Sequence, residues 1–70
     1  MEREERILAY VGDRSVPSRE LLGFMEEELG LRPFEARMLL ADMVRRGLLE
    51  RVPDYGGARM VFRRPGRGPG

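Results

Sequence analysis

Apolar residues recur at intervals of three and four in three successive stretches of the chain, the spacing produced by one face of an α-helix. The first predicted helix covers residues 2–12, and the second covers residues 19–29 with Ser18 as its N-cap. The third has Pro33 at its first position and ends at Gly47. The stripes expected to form the core are Ile7, Leu8 and Val11, then Leu21, Leu22, Met25 and Leu29, then Ala36, Leu39, Leu40 and Met43.

After the third helix the hydrophobic period changes from helical to alternating. Residues 48–52 and 58–64 read as two strands, and the turn-forming residues 53–57 between them predict a β-hairpin. The alternation directs Met60 and Phe62 toward the core. The opposite face of the second strand then carries Arg59, Val61 and Arg63.

These elements predict a mainly α domain with a small β-hairpin, of the α+β class. Val16 and Pro17 are expected to form a short extended stretch between the first two helices, because the residue before a proline avoids the helical region. The order is helix, extended stretch, helix, helix, strand, loop, strand. At 8.1 kDa the chain has room for one domain. We assign residues 1–64 to it and expect residues 65–70, rich in Gly and Pro, to form a flexible tail.

One motif is more specific than the pattern of elements. Residues 45–51 read Arg-Arg-Gly-Leu-Leu-Glu-Arg, which resembles the segment joining the third helix to the wing in many bacterial and archaeal regulators. Residues 18–21, Ser-Arg-Glu-Leu, and residues 29–31, Leu-Gly-Leu, are similar to the helix-2 and turn pattern of the same proteins. Over residues 5–64 the chain thus resembles a minimal winged helix-turn-helix domain of the MarR-like or ArsR-like kind. The resemblance implies that the Val16 segment adds a short strand between the first two helices, beside the hairpin.

This resemblance implies that double-stranded DNA is the partner, with the third helix in the major groove and the wing on the flanking backbone. On the third helix, Arg37 is placed to read guanine, and Phe34 and Met38 are placed to touch a thymine methyl group. Glu35 is compatible with this face only if it pairs with Arg37 or accepts from a cytosine. The nucleic-acid-binding residues that follow from the resemblance are Ser18, Arg19, Arg32, Glu35, Arg37, Met38, Tyr55, Gly56, Arg59 and Arg63.

The charge distribution agrees with a polyanion meeting the second half of the chain. All thirteen basic residues are arginine, and the net charge is only +1. Residues 1–30 carry four arginines against eight acids, a net charge of −4, whereas residues 31–70 carry nine against four, a net charge of +5. A basic half of this kind attracts nucleic acid. The Glu26–Glu28 run is a solvated helix face or a surface for a basic partner.

A second hypothesis is a winged helix that binds protein, as an adaptor in replication, transcription or segregation machinery. Phe34 and Met38 would then form the docking surface, and Tyr10, expected to be exposed, would contribute a further contact. For Phe34 a packing role at the helix start is an equally good interpretation. A homodimer is compatible with either function, and a weaker alternative is RNA or ribosome binding through the wing and the tail.

Composition argues against catalysis. The chain has no cysteine and no histidine, so thiolate and imidazole metal ligands, cysteine nucleophiles and His-dependent triads are excluded. No phosphate-binding glycine motif precedes a helix. We therefore expect a non-enzymatic protein with no cofactor and no metal. The longest apolar run, residues 7–11, is too short for a membrane span, and the acidic start differs from a signal peptide, so a cytoplasmic, nucleoid-associated protein is expected.

Overall fold

A computed structural model describes residues 2–66 of the chain, and residues 67–70 of the predicted tail lie outside it. The α+β class, the three helices and the order of the elements are confirmed. No helix among residues 2–66 is long and apolar enough to cross a bilayer. The elements are α1 (Arg3–Val11), β1 (Val16–Pro17), α2 (Ser18–Glu28), α3 (Pro33–Arg45), β2 (Glu50–Asp54) and β3 (Arg59–Arg63).

Helix α2 begins at Ser18 itself, so the prediction that Ser18 is the N-cap is wrong. Pro17 occupies the N-cap position with φ −57° and ψ 145°, and no side chain caps the helix. The physical reason is that Pro17 also belongs to β1, so the chain passes from strand to helix without an intervening residue. Ser18 consequently occupies the first turn of α2, where the backbone N–H groups have no partner within the helix.

Helix α3 is closed at both ends by specific hydrogen bonds. At its start the Glu35 carboxylate accepts a hydrogen bond of 2.9 Å from the backbone N–H of Arg32. At its end Gly47 has a φ of +82°, and its N–H donates to the carbonyl of Val44. The N–H of Leu48 reaches back to the carbonyl of Met43 at 2.9 Å, which completes a Schellman motif.

The sheet is antiparallel in the order β1-β3-β2, with the short β1 on the free side of the hairpin. Asp54 lies opposite Arg59 in the hairpin register, so the loop consists of residues 55–58 rather than the predicted 53–57. Strand β2 continues through Pro53 because β2 is an edge strand. On its solvent side no backbone N–H is needed for hydrogen bonding to another strand, so a proline is tolerated.

Helices and sheet enclose one core, but the sequence assigned two of its β3 positions wrongly. Phe62 packs into the core as predicted, whereas Met60 is 39% exposed and Val61 is buried. Val61 lies on the outer face, yet β3 is the central strand and Pro17 and Val52 flank Val61 on both sides. The core residues are Ile7, Val11, Val16, Leu21, Met25, Leu31, Ala36, Leu40, Met43, Leu49 and Phe62.

Candidate nucleic-acid interface

Four of the predicted nucleic-acid-binding residues line one depression between the first turn of α2, α3 and the hairpin. Ser18 and Arg19 come from α2, Arg37 from α3 and Arg59 from β3. The fold brings them together because β1 and α2 are continuous, which sets the start of α2 beside β3. Three separate elements therefore present polar groups to a common region of the surface.

A cleft adjoins this depression and shares Ser18 and Arg37 with it. Its apolar lining includes the buried side chains of Leu40 and Phe62. Arg51 on β2 lies on the other side of the cleft from α3, opposite Phe62 in the strand register. Two arginines, Arg37 and Arg51, thus border an apolar lining.

Arg51 was missed by the sequence-based prediction of the site, although the sequence contains a signal for it. In a strand, residues two apart share a face, so Arg51 lies on the same side as the buried Leu49. Because an arginine is rarely buried without a partner, an arginine at an inward-facing strand position indicates that the core is open to solvent at that point. Here Arg51 is exposed and borders the cleft.

The arginines of this region differ in whether an acid already neutralises them. Among residues 2–66, Arg19, Arg37 and Arg51 form no ion pair. Two acids, Glu20 and Glu26, also line the depression. Glu20 is engaged by Arg14 at 3.5 Å and by the Tyr10 hydroxyl at 2.6 Å. Three uncompensated guanidinium groups facing one free carboxylate leave the region net positive.

The two predicted arginines of the hairpin are engaged by acids on the neighbouring strand. Arg59 Nε donates to Asp54 Oδ2 at 3.1 Å, and Arg63 pairs with Glu50. Both pairs lie on the outer face of the sheet, at the two ends of the hairpin ladder. A Cβ at Gly57 would lie 2.9 Å from both Arg59 Nε and Asp54 Oδ2, so an alanine there would make the ends of both side chains shift.

The exposed side of α3 is apolar at its centre. Phe34 is 72% and Met38 is 58% exposed, so Phe34 has no packing role at the helix start. Together with Leu31 and Leu39 they line a shallow surface near Arg3. Glu35, predicted to face DNA, also borders this surface, and its carboxylate is held by the backbone N–H of Arg32.

Tyr10 is half-buried, which corrects the expectation that it is exposed. Its ring stacks on Phe24 with centroids 4.1 Å apart, and the Arg14 guanidinium lies 4.9 Å from the ring centroid. Because the phenol donates its hydrogen bond to the Glu20 carboxylate, the pKa of Tyr10 is raised above its ordinary value. These contacts join α1 to α2, so the position of Tyr10 is explained by packing within the domain and needs no contact with a protein partner.

The remaining predicted residues are not gathered at the cleft. Tyr55 and Gly56 occupy the hairpin tip, where Tyr55 is 88% exposed. Arg63 lies at the opposite end of the hairpin ladder, and Arg32 precedes the start of α3. The predicted set therefore divides into one cluster at the cleft and several separate positions around α3 and the hairpin.

The chemistry available at the cleft is the binding of anions. Guanidinium groups offer planar pairs of N–H donors that match phosphate oxygens, and the free N–H groups of the first turn of α2 favour negative charge. Among residues 2–66 no three acidic side chains are grouped to hold a metal ion. Comparison with protein-family models, with curated proteins and with solved structures finds no match to the chain.

Proposed function

We propose that this chain is a double-stranded DNA-binding domain of the winged-helix type. Helices α2 and α3 are joined by a four-residue turn, residues 29–32, in which Gly30 adopts a φ of +70°. A turn of this length containing glycine is typical of a helix-turn-helix. The β2–β3 hairpin that follows takes the position of the wing.

The observation that supports the proposal is the convergence of uncompensated arginines beside α3. Arg19, Arg37 and Arg51 come from three elements, form no ion pair among the described residues, and border one cleft and its adjoining depression. A surface that needed these charges only for solubility would not require them to converge. A polyanion with regularly spaced phosphates neutralises all three at once.

In the proposed complex α3 lies in the major groove, which is wide enough to admit a helix. Arg19 and Arg51 then contact phosphates on the side of α3 that carries Arg37, and Arg37 reaches a phosphate or a guanine edge. Arg59 can contact DNA only after it breaks its ion pair with Asp54. Most of the affinity is electrostatic, and it falls as the salt concentration rises because the counterions released from the DNA gain less entropy in a more concentrated solution.

The proposal is tested by fluorescence anisotropy with a labelled random duplex over a salt series. Four to six phosphate contacts predict a log–log slope of about −4 to −5 for the wild-type protein. The double variant Arg37→Gln, Arg51→Gln should bind more weakly at every salt concentration, with a slope smaller in magnitude by about 2.

The matched control is the double variant Arg6→Gln, Arg64→Gln, which removes the same charge from exposed positions that do not line the cleft. It should lower affinity only slightly and leave the slope nearly unchanged. Equal losses in both double variants would show that net charge alone drives binding, and no wild-type binding at low salt would refute the proposal.

A protein-binding winged helix is the second candidate, and the exposed pair of Phe34 and Met38 is the observation that favours it. Such a domain would keep its partner when Arg37 and Arg51 are replaced and lose it when Phe34 and Met38 are replaced by Ala. Pull-down with these two double variants separates the two functions.

A further inference from the structure

The face of α3 opposite the core carries apolar side chains. At 3.6 residues per turn, Ala36, Leu40 and Met43 point into the core. Phe34, Met38 and Ala41 lie on the opposite side, where all three are exposed. Two large apolar groups held in water on a rigid helix indicate that this face meets a surface with apolar groups of its own.

The acids of α3 do not oppose a polyanion at this face. The Glu35 carboxylate is bonded to the Arg32 N–H. Asp42 is held by Arg45 at 2.7 Å and by Arg46 at 2.8 Å. Arg37, one residue before Met38, forms no ion pair among the described residues. The apolar pair is therefore bordered by neutralised acids and a free cation.

The size of the exposed pair fits a small apolar group better than a protein. A stable protein interface takes about 800 Å² from each partner, about one sixth of the 5055 Å² surface of this domain. Phe34 and Met38, with the half-buried Leu39 beside them, supply only part of that area, and the charged residues Arg3 and Glu35 border the same surface. In the DNA major groove the C5-methyl group of thymine is the apolar feature, and aromatic and aliphatic side chains contact it.

The spacing of the pair agrees with that partner. Phe34 and Met38 are four residues apart, so they are separated by about 6 Å along the helix axis. Base pairs of B-DNA rise about 3.4 Å per step along the DNA axis, so two side chains at this separation reach different base pairs. We propose that Phe34 and Met38 contact the C5-methyl groups of pyrimidines in different base pairs of the major groove. The domain then selects duplexes that carry these methyl groups. This inference rests on the proposed DNA-binding function.

The test compares duplexes that differ only in methyl groups. One duplex of about 20 base pairs contains only A·T pairs, and the second has uracil in place of every thymine. Phosphate charge is the same in both. Wild-type protein should bind the uracil duplex more weakly, by about four-fold for each methyl group contacted. A C·G duplex should gain affinity when its cytosines are replaced by 5-methylcytosine, which separates the methyl group from other features of thymine.

The double variant Phe34→Ala, Met38→Ala should bind the thymine and uracil duplexes equally, with an unchanged salt slope. Both residues are exposed, so the variant should fold, which circular dichroism checks. Tyr55→Ala removes an exposed aromatic ring at the hairpin tip, another predicted DNA contact, so it should weaken binding to both duplexes alike and keep the ratio between them.

Equal wild-type affinity for the thymine and uracil duplexes would overturn the inference and leave the DNA-binding function standing. A methyl preference that survives in the double variant would overturn the assignment to Phe34 and Met38. Failure of the wild-type protein to bind any duplex would overturn both proposals and favour a protein partner for this face.

Discussion

Arg59 and Asp54 face each other across the hairpin, with Arg59 Nε donating to Asp54 Oδ2 at 3.1 Å. The resemblance assigns Arg59 to the DNA backbone, whereas the register of the hairpin gives it an acid from its own domain. Both side chains are partly exposed, and exposed pairs of this kind contribute little to stability. Asp54 therefore competes with DNA phosphate for Arg59, but it holds Arg59 only weakly.

Replacing Asp54 by Asn should increase affinity for DNA. The substitution frees Arg59 and removes one negative charge, so we expect several-fold tighter binding at low salt and a slope steeper by about 0.9. Asp13→Asn is the matched control, since it makes the same charge change at an exposed position that lies in no ion pair among residues 2–66. Salt-dependent anisotropy measures both.

Gly57→Ala provides an independent test of the same idea, because it disturbs the Arg59–Asp54 pair without changing the net charge. The added Cβ would lie 2.9 Å from both ion-pair atoms, so the ends of both side chains must shift. If Asp54→Asn acts by freeing Arg59, Gly57→Ala should shift affinity in the same direction. No change in either variant would show that Arg59 does not contact DNA.

Substitution of two glycines by alanine should have opposite effects on stability. Gly47 ends α3 at φ +82°, so Gly47→Ala should lower the free energy of unfolding by about 1–2 kcal/mol. Gly23 lies inside α2, and a Cβ there would meet nothing within 4 Å. Gly23→Ala should raise the free energy of unfolding by about 0.5–1 kcal/mol. Urea denaturation followed by circular dichroism measures both, and the same sign for both variants would contradict the proposed end of α3.

The two β3 positions that the sequence predicted to be equivalent should respond differently to truncation. Phe62→Ala removes a buried side chain and should cost about 3–5 kcal/mol. That is a large part of the roughly 4–10 kcal/mol expected for a domain of this length. Met60→Ala should cost much less, because Met60 is 39% exposed. Thermal unfolding of the two variants measures the difference. Equal losses of stability would show that Met60 is packed in the core.

The ionisation of Tyr10 should report its bond to Glu20. The raised pKa means that the folded state binds the phenol proton more tightly than the unfolded state does. The stability that this contributes is complete below about pH 10, the ordinary value, and is lost as pH rises through the folded-state pKa. Tyrosinate absorbance in Tyr55→Phe, where Tyr10 is the only tyrosine, gives the pKa directly.

Glu20→Gln in the Tyr55→Phe background should move the Tyr10 titration to lower pH, because a neutral amide accepts the phenol hydrogen bond less strongly than a carboxylate. Glu26→Gln makes the same charge change on α2 at a position that does not line the pocket beside Tyr10, and it should leave the titration almost in place. An unchanged Tyr10 titration in Glu20→Gln would mean that the bond is absent in solution.

The three helices and the hairpin were predictable because each depends on local chemistry. The apolar stripes of the helices are readable without the partner elements, as are Pro33 at the start of α3 and Gly47 after its end. The hairpin boundaries were less predictable. Pro53 reads as a turn residue in the sequence, but in an edge strand it is tolerated within β2.

The candidate site was only partly predictable, because its charges depend on contacts distant in sequence. Ser18, Arg19, Arg37 and Arg59 were expected and do converge. Arg51 was missed because it reaches the cleft only when β2 packs beside α3. The Tyr10 stack on Phe24 joins residues fourteen positions apart on two helices, which no local pattern indicates.

Hydrophobic period, turn chemistry and charge are properties of neighbouring residues, so the sequence alone predicts which segments become helices and strands and which half of the chain is basic. Which arginines are free depends instead on how the elements pack. Strand register places acids opposite Arg59 and Arg63, and none opposite Arg51. Helix packing leaves Phe34 and Met38 in solvent. Pairing and exposure depend on distances between elements, and those distances exist only after the core has formed.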